Sequence, residues 1–134
     1  MRARDTVLVP TDVQLARSAY EAFAHGQVER LAEWFDPEIE WIEPPELPGA
    51  RSYRGRDRVQ RYLASILEFW DEFIVEPESF EDVAGGLLIS IHIRARARGS
   101  GANVEDRVLH RVTISNGKAT RIAVYQRPEE ARRG

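Results

Sequence analysis

A carboxylate that ends a strand is the first residue of this chain with the chemistry of a general base. In the segment Ile39-Glu40-Trp41-Ile42-Glu43, the two-residue period of a strand places Ile39, Trp41 and Glu43 on one face. A carboxylate at the mouth of an apolar pocket is poorly hydrated, which makes it a stronger base. Glu43 is therefore a candidate general base. The alternative is a solvent-facing glutamate at the start of a proline-rich loop.

A histidine within an apolar strand is the second candidate. His110 alternates in phase with Val108, Val112 and Ile114, so these side chains share one face. A neutral imidazole there can donate a hydrogen bond to a developing oxyanion or carry a proton near neutral pH. The alternative is a core histidine whose ring is hydrogen-bonded within the protein.

A tyrosine on a helical apolar face completes the polar candidates. Tyr20 has helical spacing with Ala16 and Phe23, and its hydroxyl could point into a pocket. The alternative is a core tyrosine with its hydroxyl at the edge. The residues expected to contact a bound ligand are apolar or aromatic: Trp41, Phe23, Tyr62, Trp70, Val108 and Val112.

Helical periodicity dominates the first half of the chain. Thr11 and Gln14 have the spacing of a capping box, which predicts a helix that begins there and ends near His25-Gly26. Apolar spacing predicts two further helices. They are Val28 to Phe35, which ends at Asp36-Pro37, and a helix after Gly55 whose apolar stripe runs from Val59 to Trp70.

The second half of the chain has the two-residue period of strands. Asn116-Gly117, between two such segments, predicts a tight hairpin, and strands joined this closely are antiparallel. The pattern indicates one α+β domain over residues 1–134, with a core of about 12–126 and flexible ends at 1–10 and 128–134. The predicted strands, besides that at residues 39–43, are Phe73 to Phe80, Leu87 to Arg98, Val104 to Ser115 and Ala119 to Gln126.

Composition and charge exclude several classes of protein. The chain has 19 Lys and Arg against 22 Asp and Glu, so its net charge of −3 argues against a protein that coats nucleic acid. It has no cysteine, which excludes disulfide scaffolds, zinc fingers and thiolate nucleophiles. No apolar run of membrane-spanning length and no secretory leader is recognisable. We therefore expect a cytoplasmic protein with no metal, no cofactor, no membrane contact and no nucleic-acid partner.

Arginine supplies almost all of the positive charge. Arg94, Arg96 and Arg98 alternate on one strand face, while Ile89, Ile91 and Ile93 occupy the other. Because the isoleucine face is the one suited to burial, the arginine row is expected on a solvated or subunit-facing surface. An anion clamp is the alternative, since guanidinium groups bind carboxylates in a bidentate manner.

Several short motifs together resemble the SnoaL-like families of the nuclear-transport-factor-2-like superfamily. The motifs are Tyr20-Glu21-Ala22-Phe23 with Gly26, the segment Trp34 to Trp41, Tyr53-Arg54-Gly55, and Asn116-Gly117-Lys118 followed by Tyr125. The resemblance covers roughly residues 12–126. It implies a cone fold in which three N-terminal helices pack on a curved, mostly antiparallel sheet that encloses a pocket for a small apolar molecule. It also implies a homodimer. The superfamily includes polyketide cyclases, ketosteroid isomerases and non-enzymatic adaptors.

The resemblance also implies roles for the polar candidates. Glu43 matches the position of the general-base aspartate of ketosteroid isomerases, which also precedes a proline, and Tyr20 matches a phenolic donor. The families often place an aspartate near His110, so the histidine departs from the pattern. In the resulting hypothesis, a cofactor-independent isomerase or cyclase uses Glu43 as base while His110 and Tyr20 stabilise an enolate oxygen. The alternatives are a non-catalytic domain that binds a ligand or dimerises, and an adaptor for another protein.

Overall fold

The fold is a curved six-stranded sheet with three helices packed against its concave face and a fourth on its outer face. The computed structural model describes residues 9–134, and the predicted α+β class is confirmed. The strand order is β2-β1-β6-β5-β4-β3. The elements are α1 (Asp12–Ala24), α2 (Val28–Ala32), β1 (Phe35–Ile42), β2 (Ser52–Arg54), α3 (Arg56–Phe69), β3 (Trp70–Val83), β4 (Gly86–Ala97), β5 (Asn103–Ser115), β6 (Lys118–Tyr125) and α4 (Pro128–Arg133).

The predicted capping box starts α1. The Gln14 amide donates to Thr11 Oγ1 over 3.1 Å, and the Thr11 amide donates to Gln14 Oε1 over 2.8 Å. Two amides at the helix N-terminus, which have no partner within the helix, are satisfied in this way. The helix ends at His25, as predicted, and buries Ala16, Tyr20 and Phe23. This face of α1 forms one wall of the interior.

The predicted second helix ends earlier than expected. α2 covers only Val28–Ala32, and Phe35 is already the first residue of β1. Phe35 is fully buried and pairs with Ala119 of β6. The ladder is then interrupted until Glu40, so Pro37, which has no amide to donate, lies in that break. Tertiary burial of Phe35 therefore overrides the helical spacing of its side chain.

The antiparallel strands β3 to β6 follow the predicted order. Asn116 and Gly117 have φ angles of 52° and 77°, the two successive positive values that a tight I′-type hairpin requires. β1 differs from the rest of the sheet, because it pairs antiparallel with the short β2 but parallel with β6. This parallel pairing places the end of β1 beside Ile122 and Ala123 of β6.

α3 follows the edge strand β2 in sequence and packs against the core. The Arg56 guanidinium at its start donates to the Phe35 carbonyl oxygen, with Nη2 at 2.6 Å, and Val59 is fully buried. Trp70, predicted as the last member of the α3 stripe, has the extended angles φ −96° and ψ 145° and is the first residue of β3. Its ring consequently leaves the helix face.

The C-terminal segment forms a docked helix instead of a frayed tail. Ala131 of α4 is fully buried on the outer face of the sheet, in a cluster with Leu88 and Leu109. Arg111 Nη1 donates to the carbonyl oxygens of Ala131 and Arg132 over 2.9 and 3.1 Å, which satisfies groups at the helix C-terminus. At the other end, the prediction of flexibility for residues 1–10 falls mostly on residues 1–8, which lie outside the described residues.

The arginine row lies on the outer face of the sheet and is solvated. Arg94 Nη2 is 2.8 Å from Glu76 Oε1, and Arg96 Nε is 3.3 Å from Asp71 Oδ2, with all four side chains about half exposed. Arg94 and Arg96 are therefore paired with carboxylates of β3 and do not face the interior, whereas Arg98, just after β4, donates its Nε–H to the Glu68 carbonyl oxygen over 2.7 Å. Within residues 9–134, no helix is long and apolar enough to cross a membrane.

We expect the substitution Ala131→Leu to destabilise the protein by about 1–3 kcal/mol, because the buried site on the sheet has no room for a larger side chain. The measurement is the free energy of unfolding in urea. Glu129→Leu, at an exposed position of the same helix, is the matched control and should change stability by less than about 0.5 kcal/mol. Equal stability of the two variants would contradict the docking of α4.

Candidate functional site

A cavity of about 160 Å³ lies between the helices and the concave face of the sheet. Its lining is overwhelmingly apolar and includes seven of the nine residues that the sequence analysis singled out. The structure therefore brings all three polar candidates together. The seven are Tyr20, Phe23, Trp41, Glu43, Tyr62, Val108 and His110.

Trp70 and Val112 are outside the cavity lining. Trp70 packs on Phe73, with ring centroids 6.2 Å apart, and Val112 is 1% exposed in the core. Trp34 and Phe35 line the cavity without having been singled out. The sequence pattern assigns Phe35 to a helix and therefore does not predict that its side chain points inward from β1. The aromatic character of Trp34-Phe35 is the one sequence signal that indicates a place in the cavity lining.

Tyr20 and His110 form a buried hydrogen-bonded pair in the cavity wall. The distance between the Tyr20 hydroxyl oxygen and His110 Nδ1 is 2.6 Å, and the two residues are 7% and 6% exposed. Burial lowers the pKa of His110 to about 4, so the imidazole is neutral at pH 7. Burial also raises the pKa of the Tyr20 phenol, which keeps its proton.

The hydrogen-bond partners available to Tyr20 and His110 determine whether the hydroxyl or Nδ1 is the donor. If the Tyr20 hydroxyl donates to Nδ1, the proton of the neutral ring is on Nε2. Of the two polar hydrogens of this pair, the Nε2–H is then the one without a partner among residues 9–134. If Nδ1–H donated instead, both the hydroxyl proton and the Nε2 lone pair would lack partners. We therefore assign the donor role to Tyr20. Nε2–H of His110 is then a hydrogen-bond donor for the cavity.

Glu43 is held at the other end of the site by two donors. Its Oε2 accepts a hydrogen bond from the Tyr62 hydroxyl, and its Oε1 accepts one from the Arg51 amide over 3.2 Å. Burial, and then the Glu43 carboxylate, raise the pKa of the Tyr62 phenol. Tyr62 in turn stacks on Tyr53, with ring centroids 4.3 Å apart. The half-buried carboxylate is thus fixed in orientation at the cavity.

Sheet topology explains why Glu43 and His110 line one cavity although they are far apart in sequence. β6 lies between β1 and β5, and pairs Trp41 with Ile122 on one side and His110 with Val124 on the other. Trp41 and His110 therefore flank β6 on the concave face, with ring centroids 5.4 Å apart. Glu43 follows Trp41 by two residues and so points to the same face.

Charge is scarce in this cavity. Among the described residues, those that line it include one carboxylate, Glu43, and no arginine or lysine. Elsewhere in residues 9–134, no three His, Asp or Glu side chains are grouped so that they could hold a metal ion. An anionic ligand does not suit this lining, because a buried anion would have no cation to pair with.

The comparisons with known proteins show the family and the fold of this chain. The sequence matches the profile of the SnoaL-like domain over residues 16–122. The chain belongs to the SnoaL-like domain family. A relative in this size range, an uncharacterized protein of Mycobacterium tuberculosis, is 29% identical to this SnoaL-like domain over 117 residues, which are 85% of this chain and 87% of the relative.

Solved structures establish the fold of this SnoaL-like domain. An NTF2-like protein from Burkholderia thailandensis is similar with a TM-score of 0.77 and 24% identity, over 87% of this chain and 91% of that one. The structure of TerC co-crystallized with polyporic acid has a TM-score of 0.75 and 16% identity, over 89% and 93% of the two chains. The fold is thus the NTF2-like cone that the sequence motifs implied.

The burial of neutral His110 predicts a loss of stability in acid. Unfolded His110 binds a proton near its ordinary pKa of 6.5, whereas the folded residue does so only near 4, so the unfolding free energy rises with pH between these values. Acidification from pH 7 to pH 5 should remove about 2 kcal/mol through this residue.

The measurement is urea unfolding of the wild type and His110→Asn at both pH values. Because other groups also titrate, the informative quantity is the difference between the two proteins in their pH-dependent loss. The wild type should lose more stability than the variant. Equal losses would show that folding does not depress the pKa of His110.

Proposed function

We propose that this SnoaL-like domain binds a small, neutral, apolar molecule with a carbonyl group and acts on it as a cofactor-independent isomerase or cyclase. The observation that carries this proposal is the convergence of a carboxylate and a neutral imidazole on one apolar cavity. A base and a hydrogen-bond donor across one ligand are what proton abstraction next to a carbonyl requires.

Glu43 is the base in this proposal. Its carboxylate takes a proton from the carbon next to the carbonyl, so the C–H bond breaks, an O–H bond forms, and the electron pair moves to give an enolate. The Tyr62 hydroxyl and the Arg51 amide hold the carboxylate in place, which reduces the entropic cost of the proton transfer. Return of the proton from Glu43 to another carbon completes an isomerisation. In a cyclisation, the enolate carbon forms a bond to a second carbonyl carbon, and the resulting alkoxide oxygen takes the proton back from Glu43.

His110 stabilises the enolate oxygen. Its Nε2–H donates to the oxygen as negative charge develops, and one such pre-oriented donor contributes about 10²–10³ in rate. Tyr20 acts through His110, because its hydroxyl is already donated to Nδ1. It is therefore a positioning residue, and the sequence-based expectation that Tyr20 contacts the enolate is replaced by this indirect role.

The size and lining of the cavity define the ligand further. Its volume of about 160 Å³ is close to that of an engineered cavity of about 150 Å³ that binds benzene, so a compact ring system of one or two rings suits it. The absence of cations from the described lining disfavours an anionic ligand. Among proteins of similar fold, TerC has been co-crystallized with polyporic acid, which supports a small-molecule role for this fold.

A non-catalytic ligand-binding domain is the second candidate function. Both carboxylate oxygens of Glu43 already accept hydrogen bonds within the protein. A carboxylate that is satisfied in this way can serve to close the cavity structurally, with no part in chemistry. In that case a ligand binds but its C–H bonds exchange no faster than in buffer.

We further propose that the domain forms a homodimer through the outer face of its sheet. α4 covers only the Leu88 and Leu109 end of this face, while the rows of opposite charge on β3 and β4 are left half exposed. Rows of both signs can pair with their copies across a two-fold axis. An adaptor role would use the same surface for a different protein.

The dimer is tested by the mass of the protein in solution. Light scattering after gel filtration should give twice the 15.3 kDa of one chain, and Arg94→Glu should shift the protein toward the monomer. Arg58→Glu, on the exposed face of α3, is the control and should leave the mass unchanged. A monomeric wild type would contradict the proposal.

The catalytic role of Glu43 is tested by hydrogen exchange of a probe ketone. We expect the wild type to accelerate deuterium uptake at the carbon next to the carbonyl of 1-indanone in D₂O, measured by proton NMR. Glu43→Gln should slow this exchange about 100-fold or more, because the amide cannot accept the proton. Glu46→Gln, an exposed neighbour in the following loop, should exchange the probe like the wild type.

Two results would count against the catalytic proposal. Exchange that is unchanged in Glu43→Gln would remove Glu43 as the base. Binding of 1-indanone to the wild type without any acceleration of exchange would favour the non-catalytic ligand-binding domain.

A further inference from the structure

An indole in the cavity wall has an unused hydrogen-bond donor. Trp41 lines the cavity and is 8% exposed, and within residues 9–134 its Nε1–H has no acceptor. Buried polar groups without a partner are uncommon in folded proteins, because the lost hydration is not replaced. An apolar side chain at this position would avoid that cost. The presence of an indole N–H therefore suggests that it has an acceptor in the functional state of the protein.

The Trp41 ring contacts residues at both ends of the site. On one side its ring meets the His110 imidazole in a T-shaped contact, with centroids 5.4 Å apart and an interplanar angle of 79°. On the other side it contacts Tyr62, the residue that donates to Glu43, with centroids 6.2 Å apart. Trp41 thus lies between the imidazole donor and the carboxylate.

A second indole differs in its surroundings. Trp34 also lines the cavity with an unpartnered Nε1, but its ring contacts Tyr20 and Phe35, with centroids 6.2 and 6.3 Å away. The Tyr20 hydroxyl is already donated to His110. Trp41 is therefore the indole that adjoins the two groups at which a ligand carbonyl and its neighbouring carbon would lie.

We propose that the Trp41 indole N–H donates a hydrogen bond to an oxygen of the bound ligand and makes Trp41 a specificity-determining residue. This inference rests on the proposed ligand-binding function of the same cavity. It names the ligand class as a neutral ring compound with a carbonyl or ether oxygen, as opposed to a hydrocarbon of the same shape. The His110 Nε2–H and the Trp41 Nε1–H then supply two donors along one wall.

The site should select a ligand with an acceptor oxygen, because a hydrocarbon leaves the indole N–H without a partner. A hydrocarbon fills the apolar cavity but leaves the indole N–H enclosed without an acceptor, whereas a ligand oxygen satisfies it. Sites built around a polar group reject analogues that lack the matching group more strongly than apolar pockets reject a change of size. The indole therefore selects for an acceptor, in addition to the aromatic surface that it contributes.

The test compares 1-indanone with indane, two bicyclic molecules of similar shape of which only the first has an acceptor oxygen. The chain has three tryptophans, Trp34, Trp41 and Trp70, so a ¹⁵N–¹H correlation spectrum resolves few indole signals. Each is assigned by its loss in the corresponding Trp→Phe variant. In the wild type, 1-indanone should move the Trp41 indole proton downfield, indane should not, and the Trp70 signal should stay in place with both.

Affinities provide the second readout. Trp41→Phe removes the N–H but keeps an aromatic ring, and it should weaken binding of 1-indanone about 3- to 10-fold, the range expected for one hydrogen bond. Its affinity for indane should be unchanged. Trp70→Phe, outside the cavity lining, is the matched control and should bind both probes like the wild type.

The outcomes separate this inference from the function on which it rests. If both probes bind but shift the Trp41 signal equally, or if Trp41→Phe binds 1-indanone like the wild type, the donor role of Trp41 is overturned and the ligand-binding cavity stands. If neither probe binds, the proposed function fails and the inference fails with it. If Trp41→Phe does not fold, the Trp41 signal is the one that remains after Trp34 and Trp70 are assigned from their own variants, and the wild-type spectra then decide the matter.

Discussion

The site depends on one buried hydrogen bond, from the Tyr20 hydroxyl to His110 Nδ1. Burial keeps both groups uncharged, since it lowers the pKa of the imidazole and raises that of the phenol. With Nδ1 occupied as an acceptor, the ring proton is on Nε2, and the imidazole becomes a donor of fixed direction. Without Tyr20, the same histidine would be a buried base of undefined tautomer, and the proposed stabilisation of an enolate would lack a defined donor.

Around this bond, the fold places hydrogen-bond donors on one side of the apolar cavity and a carboxylate acceptor on the other. Helix α1 supplies Tyr20, the antiparallel sheet supplies His110, and the parallel pairing of β1 with β6 brings Glu43 to the same cavity. The donors lie on the imidazole side and the carboxylate lies on the other, anchored by Tyr62 of α3. An apolar lining keeps water from competing for these groups, which strengthens each electrostatic contact with a ligand.

Local patterns predicted the parts of this structure that depend on neighbours in sequence. The capping box at Thr11, the Asn116-Gly117 hairpin and the common face of Ile39, Trp41 and Glu43 are of this kind. Such local patterns could not predict contacts between segments that are distant in sequence. The Tyr62 hydroxyl reaches Glu43 only because α3 packs against β1, and α4 is stable only because Leu88 and Leu109 leave an apolar site for Ala131. Phe35 followed tertiary burial in preference to its helical spacing.

The tautomer of His110 in the free protein can be read from the ¹⁵N chemical shifts of its ring nitrogens at pH 7, which is the decisive test of the Tyr20–His110 pair. We expect a protonated Nε2 and an unprotonated Nδ1, a state that Tyr20→Phe should disturb because the variant removes the donor to Nδ1. A proton on Nδ1, or an imidazolium at neutral pH, would contradict this expectation. A proton on Nδ1 alone would mean that the cavity lacks the Nε2–H donor on which the proposed chemistry depends, and an imidazolium would mean that this donor is charged and that Tyr20 does not donate to Nδ1.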